Sequence, residues 1–130
     1  MRVLALALVA AALAACGKAA ERPDGPAGVA DLTVTVDPDG PHGSAAPRKL
    51  HLSCTKPDQS DACGAAAGVS QADLRPTPAK VACSQLYSGP QTASIVGILR
   101  GQHVDAHFAR NNGCETKRWN GVADLLNEVR

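Results

Sequence analysis

Cysteines constrain the fold of this chain most strongly, because the rest of its composition supplies only a thin core. Five cysteines occur among 130 residues, whereas Trp, Tyr and Phe occur once each. A core built mainly from Val, Leu, Ile and Ala buries little apolar surface per side chain. Small domains of this kind usually depend on covalent cross-links for their stability. The length allows one domain at most.

The first 15 residues predict a secretion signal. Arg2 precedes an apolar run over residues 3–15, which is shorter than the stretch of about 20 residues that a transmembrane helix needs. The run leads into the letters LAACG around Cys16, which resemble the lipobox of bacterial lipoproteins, where cleavage precedes a cysteine that then carries a diacylglyceryl group. We therefore expect residues 1–15 to be removed and Cys16 to be lipidated, which anchors the protein to the outer face of the cytoplasmic membrane.

Ordinary cleavage after Ala14 is the alternative, and it would release a soluble extracellular protein. That cleavage would leave Cys16 as an odd free thiol in an oxidising compartment, whereas lipidation leaves four cysteines, an even number that suits two disulfides. Four cysteines allow three pairings, and the sequence alone does not choose among them. A zinc site is the rival use of these residues, but no Cys-x-x-Cys spacing occurs. We expect neither a metal nor another cofactor.

Charge and composition describe the remainder of the chain. The formal net charge is +1, from 13 basic and 12 acidic residues, so removal of Arg2 leaves a near-neutral protein with no long-range field to attract nucleic acid. Residues 16–30 are rich in Ala, Gly, Pro and charged residues without apolar periodicity, which is typical of a flexible tether. The folded domain is therefore expected over residues 31–130.

Hydrophobic patterns in residues 31–130 predict an α+β fold with an antiparallel sheet. Apolar and polar residues alternate, or apolar residues predominate, in four segments that we assign as strands: 32–36, 49–54, 92–99 and 103–108. The last two flank a turn at residues 100–102 and predict a hairpin. A short helix is expected within residues 64–74, with Ser70 as a cap. An amphipathic C-terminal helix is predicted by the spacing of Trp119, Val122, Leu125, Leu126 and Val129.

Several short motifs follow one another in a characteristic order. Leu-Thr-Val begins at Leu32, Leu-Ser-Cys ends at Cys54, and Cys-x-x-x-Tyr begins at Cys83 with Gly-Pro after it. The series continues with a glycine-containing strand, Arg-Gly-x-x-Val and an alternating strand that ends in Phe. It closes with Cys-Glu and a Trp. Taken together, these motifs resemble the Streptomyces subtilisin inhibitor family over residues 32–119.

The resemblance implies a fold, a disulfide pairing and a partner. The pairs are Cys54–Cys63 and Cys83–Cys114, and the fold is an antiparallel sheet of about five strands covered by two helices. The partner is a secreted subtilisin-like serine protease, which such a protein inhibits without being an enzyme itself. Members of the family often form dimers through the sheet, so a homodimer is a further expectation.

The resemblance also implies a reactive bond between Gln85 and Leu86. Cys83, Ser84, Tyr87 and Ser88 would flank that bond as the protease-binding loop, and the protease would supply the catalytic groups. Gln85 would enter the primary specificity pocket, where its uncharged side chain suits the broad apolar pocket of subtilisins better than the acidic pocket of trypsin.

Several of these residues have plainer interpretations. Asn112 matches a residue that supports the binding loop in the family, although the stretch 111–113 also has the composition of a simple turn. Tyr87 is either a contact residue or a turn aromatic. His103 and His107 lie four residues apart on one side of a strand, which favours surface polar residues over a metal pair.

Three functions remain open at this stage. The first is inhibition of an extracellular serine protease. The second is a non-inhibitory binding or structural lipoprotein that keeps the fold, because Ser84 and Gln85 replace the residues that many relatives carry at those positions. The third, a small enzyme or metal carrier, lacks a catalytic or metal motif to support it.

Overall fold

A computed structural model describes residues 28–130, so the expected signal peptide, the lipidated Cys16 and most of the expected tether lie outside the described residues. The described part is an α+β domain with a four-stranded antiparallel sheet, four α-helices and two disulfides. None of the helices in residues 28–130 has the length and apolar character needed to cross a membrane.

Four strands form the sheet in the order β2-β1-β3-β4. Their bounds are β1 Ala30–Asp37, β2 Arg48–Cys54, β3 Thr92–Leu99 and β4 Gln102–Phe108. The four segments predicted as strands are therefore confirmed, and each neighbouring pair is antiparallel. The expectation of about five strands is not matched within residues 28–130, which contain four.

Alternating side chains give the sheet one buried and one open face. Leu32 and Val34 of β1 and Ile95 of β3 are fully buried, whereas the residues between them, such as Thr33 and Val96, are exposed. Because successive side chains of a strand point to opposite faces, this pattern places the core on one side of the sheet. The helices cover that side: Leu125 of the C-terminal region and Ala66 are fully buried against it.

Two short helices follow β2. Helix α1 spans Asp61–Gly68 after a 3-10 turn at Pro57–Gln59, and helix α2 spans Gln71–Leu74. The segment 56–62 therefore contains the 3-10 turn and the start of α1. The hydroxyl of Ser70 accepts a hydrogen bond from the Asp73 N–H, which confirms the predicted cap.

The C-terminal apolar stripe forms two helices and not the continuous one that its spacing predicts. Helix α3 spans Gly113–Gly121 and helix α4 spans Ala123–Asn127, with Val122 (φ −115°, ψ 7°) between them. Asn120 and Gly121 are poor helix formers, so a break there costs little. Val122, at the break, is fully buried in the core. The domain therefore has four α-helices where two were expected.

Candidate functional site

A long segment without strand or helix, residues 75–91, connects α2 to β3. Connections longer than about 12–15 residues are uncommon in compact domains and are often functional. The segment carries three of the four large apolar side chains that are exposed in the described part of the chain: Val81 (50%), Leu86 (66%) and Tyr87 (63%). The segment therefore exposes large apolar side chains of a kind that is usually buried in the core.

Both disulfide pairs agree with the pairing that the family resemblance implies. Cys54–Cys63 links the end of β2 to α1, and both cysteines are buried. Cys83–Cys114 links the long segment to the first turn of α3, and both of its cysteines are half-buried. The pairing uses all four cysteines of the described part. Two disulfides are also compatible with an extracellular location.

Two backbone hydrogen bonds hold residues 83–89, which we call the clamped loop. The Gly113 N–H donates to the Ser84 carbonyl oxygen at 2.9 Å, and the Ser88 N–H donates to the Arg110 carbonyl oxygen at 2.8 Å. Gln85, Leu86 and Tyr87 lie between these two anchors, and all three are exposed. The clamped loop is thus fixed at both ends while its middle faces solvent.

The stretch 110–114 forms the base to which the clamped loop is attached. It provides the Arg110 carbonyl, the Gly113 N–H and the Cys114 sulfur, so three attachments come from five consecutive residues. A Cβ at Gly113 would overlap the Ser84 hydroxyl, which would have to rotate away, whereas the Ser84 carbonyl oxygen lies at an ordinary contact distance of 3.6 Å from that position.

Asn112 caps helix α3. Its side-chain oxygen accepts a hydrogen bond from the Glu115 N–H at 3.0 Å, and its Nδ2 lies 3.5 Å from the Asn111 side-chain oxygen. Among the described residues, the Asn112 side chain makes no hydrogen bond to the clamped loop. The cap fixes the first turn of α3, which carries both Gly113 and Cys114, so the side chain acts on the base of the loop and not on the loop itself.

A buried polar cluster behind the base was not anticipated from the sequence. Arg118, about 9% exposed, donates to Glu115 at 2.7 Å and to the His107 carbonyl oxygen at 3.0 Å. The Thr77 hydroxyl donates to the same Glu115 carboxylate at 2.8 Å, which joins the long segment to α3 at a third point. The spacing of Glu115 and Arg118 is that of a helical i,i+3 pair, and this was the one available sequence signal. Nothing in the sequence indicates Thr77.

The other candidate residues lie apart from the clamped loop. His103 and His107 are exposed on the open face of the sheet, and His107 Nε2 lies 3.1 Å from an Asp105 oxygen. Within residues 28–130, no group of three or more His, Cys, Asp or Glu side chains is arranged to hold a metal ion. Trp119 is half-buried and packs against the core from α3.

Comparisons with protein-family models, with curated proteins and with solved structures found no match for this chain. The resemblance to the Streptomyces subtilisin inhibitor family therefore stays a prediction, and the function has to be argued from the loop.

Proposed function

We propose that the protein inhibits a secreted serine protease of the subtilisin type by presenting the clamped loop as a substrate-like segment. One observation carries the proposal: the bond between Gln85 and Leu86 is exposed, and the chain on each side of it is fixed to the same base. On the acyl side, Ser84 is hydrogen-bonded to Gly113 and Cys83 is covalently joined to Cys114. On the amine side, Ser88 is hydrogen-bonded to Arg110.

Fixing the loop before binding favours affinity. A flexible peptide loses conformational freedom when a protease holds it, and that loss opposes binding. The clamped loop has already lost much of this freedom on folding. Exposed Leu86 and Tyr87 then supply apolar contact area next to the Gln85 side chain, which would occupy the primary specificity pocket.

The same anchors favour religation over hydrolysis. When the protease serine attacks the Gln85 carbonyl carbon, the bond to the Leu86 nitrogen breaks and Leu86 leaves as an amine. In an ordinary substrate this amine diffuses away and water attacks the acyl-enzyme. Here the Ser88–Arg110 hydrogen bond keeps the amine beside the acyl carbon, at a high effective concentration for the reverse attack.

The proposal extends to the setting in which the inhibitor acts. The lipobox-like sequence around Cys16 supports anchoring to the outer face of the cytoplasmic membrane, where secreted proteases would be the partners of the protein. Dimer formation through the open face of the sheet is a further part of the proposal.

Titration of subtilisin with the purified protein tests the proposal. We expect stoichiometric loss of protease activity and slow cleavage confined to the Gln85–Leu86 bond. Gln85→Asp should weaken inhibition at least about 100-fold, because an apolar pocket receives a carboxylate at a large desolvation cost. Gln102→Asp, at the exposed tip of the β3–β4 hairpin, is the matched control and should inhibit normally.

Undiminished subtilisin activity in the presence of excess protein would reject inhibition. That outcome, combined with an intact clamped loop, would favour the alternative of a non-inhibitory surface lipoprotein. Rapid cleavage at Gln85–Leu86 would instead identify the loop as an ordinary substrate.

A further inference from the structure

Three side chains form a second support on the amine side of the clamped loop. Arg110 Nη1 donates a hydrogen bond to the Gln91 side-chain oxygen at 3.2 Å. The guanidinium carbon of Arg110 lies 5.7 Å from the centroid of the Trp119 ring, within the range of a cation–π contact. The side chains of Gln91, Arg110 and Trp119 thus contact one another in series, from the end of the clamped loop to helix α3.

Gly89 is the residue at which these side chains contact the backbone of the clamped loop. Gly89 has a φ of +141°, a conformation that side-chain-bearing residues rarely adopt. A Cβ at this position would overlap the Gln91 side-chain oxygen, which is the atom that Arg110 binds. The Gln91 carboxamide therefore packs directly against Gly89, and Arg110 holds the carboxamide there.

Arg110 contacts the amine side of the loop twice, through its backbone and through its side chain. Its carbonyl oxygen accepts the Ser88 N–H, and its guanidinium binds Gln91 three residues further along. Within residues 28–130, no carboxylate lies within ion-pair distance of Arg110. Its guanidinium thus contacts a neutral amide and an aromatic face, and both of these groups support the loop.

We propose that Arg110 is a positioning residue that holds the Leu86 side of the clamped loop after the Gln85–Leu86 bond is cut, and so sets how slowly the target protease consumes the inhibitor. The inference rests on the proposed inhibitory function. Arg110 makes no contact with the protease in this scheme, since it acts through Ser88 and Gln91.

The chemical step that Arg110 influences is the fate of the acyl-enzyme. Attack by the protease serine oxygen forms an ester at the Gln85 carbonyl, and the departing Leu86 nitrogen takes a proton from the protease histidine. In religation the Leu86 amine attacks this ester, the peptide bond forms again, and the serine oxygen regains its proton through the histidine. In hydrolysis a water molecule attacks instead and releases Gln85 as a carboxylate. A Leu86 segment that moves away shifts the competition toward water.

Amide hydrogen exchange in the unbound full-length protein tests the positioning role directly. In Arg110→Gln we expect the Ser88 N–H to exchange at least about tenfold faster, while the Gly113 N–H, on the acyl side, changes less than about twofold. Arg110→Lys should recover part of the Ser88 protection, because an ammonium group retains attraction for the Trp119 ring. Arg75→Gln, an exposed arginine at the start of the same segment, is the matched control.

Kinetics with subtilisin provide the second readout. We expect Arg110→Gln to raise the rate of cleavage at Gln85–Leu86 at least about tenfold while the association rate stays within about twofold, because the exposed residues that meet the protease are unchanged. A variant that was merely less stable would instead be cut at many bonds and would unfold at lower urea concentration.

Two results would overturn the role of Arg110. One is unchanged Ser88 exchange in Arg110→Gln, and the other is equal acceleration at Ser88 and Gly113, which would indicate a general loss of stability. Failure of the unaltered protein to inhibit any subtilisin would reject the proposed function and the kinetic consequence together. The exchange measurement needs no protease, so it would still decide whether Arg110 positions the loop.

Discussion

Replacing Cys83 and Cys114 by serine separates the contribution of the loop disulfide to stability from its contribution to function. This disulfide closes a loop of 31 residues, whereas Cys54–Cys63 closes one of 9. The chain-entropy model assigns about 3.7 kcal/mol to the longer closure and about 2.6 kcal/mol to the shorter one at 25 °C. Domains of this size typically have about 5–15 kcal/mol of unfolding free energy, so either loss leaves a measurable folded population.

The two disulfides differ in what surrounds them. Cys54 and Cys63 are each about 2% exposed and lie in the core, so Cys54→Ala/Cys63→Ala also loses packing. Cys83 and Cys114 are half-buried at the base of the clamped loop, and their removal leaves the acyl side held by the single hydrogen bond between Ser84 and Gly113. We therefore expect similar destabilisation from the two double variants but different effects on inhibition.

Urea unfolding and subtilisin titration, run on both double variants below their unfolding midpoints, provide the assay. Cys83→Ser/Cys114→Ser should be cut at Gln85–Leu86 as a substrate, and Cys54→Ala/Cys63→Ala should still inhibit. Loss of inhibition in proportion to lost stability in both variants, or normal inhibition by Cys83→Ser/Cys114→Ser, would refute the argument that local fixation of the loop makes the inhibitor.

Three further substitutions probe the fold, the cap and the specificity. Gly97→Ala should cost at least about 2 kcal/mol in urea unfolding, since Gly97 has a φ of +141° and a Cβ there would overlap a carbonyl oxygen of β1; Gly68→Ala, with open space around it, should be nearly neutral. Asn112→Ala should cost about 1 kcal/mol by the same measurement through loss of the α3 cap, whereas Asn111→Ala should change little. Gln85→Lys should create inhibition of trypsin, whose pocket has an acidic base; no gain in a trypsin titration would contradict the placement of residue 85 in that pocket.

Strands were predictable from the sequence because the sheet has one buried face. The predicted strand over residues 92–99 has the observed bounds of β3, and the predicted hairpin turn is the two-residue connection at Arg100 and Gly101, both of which have positive φ. The C-terminal region was less predictable. Trp119, Val122 and Leu125 have helical spacing whether or not the helix is broken, and only the backbone of Val122 (φ −115°, ψ 7°) distinguishes the two cases.

The candidate loop was located by motif order, but its supports were not. The resemblance to the Streptomyces subtilisin inhibitor family implied one loop with Cys83, Gln85 and Tyr87, whereas Thr77 and Arg110 had no distinguishing local pattern. Asn112 was expected to support the loop, and its side chain instead caps α3 beneath it. Contacts between segments that are far apart in sequence depend on how the helices and strands pack, so local periodicity does not predict them.

By itself, the amino-acid sequence determined the α+β class, the strand segments and the need for disulfides. These properties follow from local alternation, turn chemistry and composition, each of which acts over a few residues. The loop after Cys83 was predicted only through the family resemblance. The tertiary structure decided that residues 110–114 form the base of that loop. A disulfide and one backbone hydrogen bond hold the acyl side of the Gln85–Leu86 bond, and a second backbone hydrogen bond holds the amine side. That arrangement requires α3 to pack beside the end of β4, because the buried Arg118 of α3 donates a hydrogen bond to the His107 carbonyl oxygen and the Asn112 cap fixes where α3 begins.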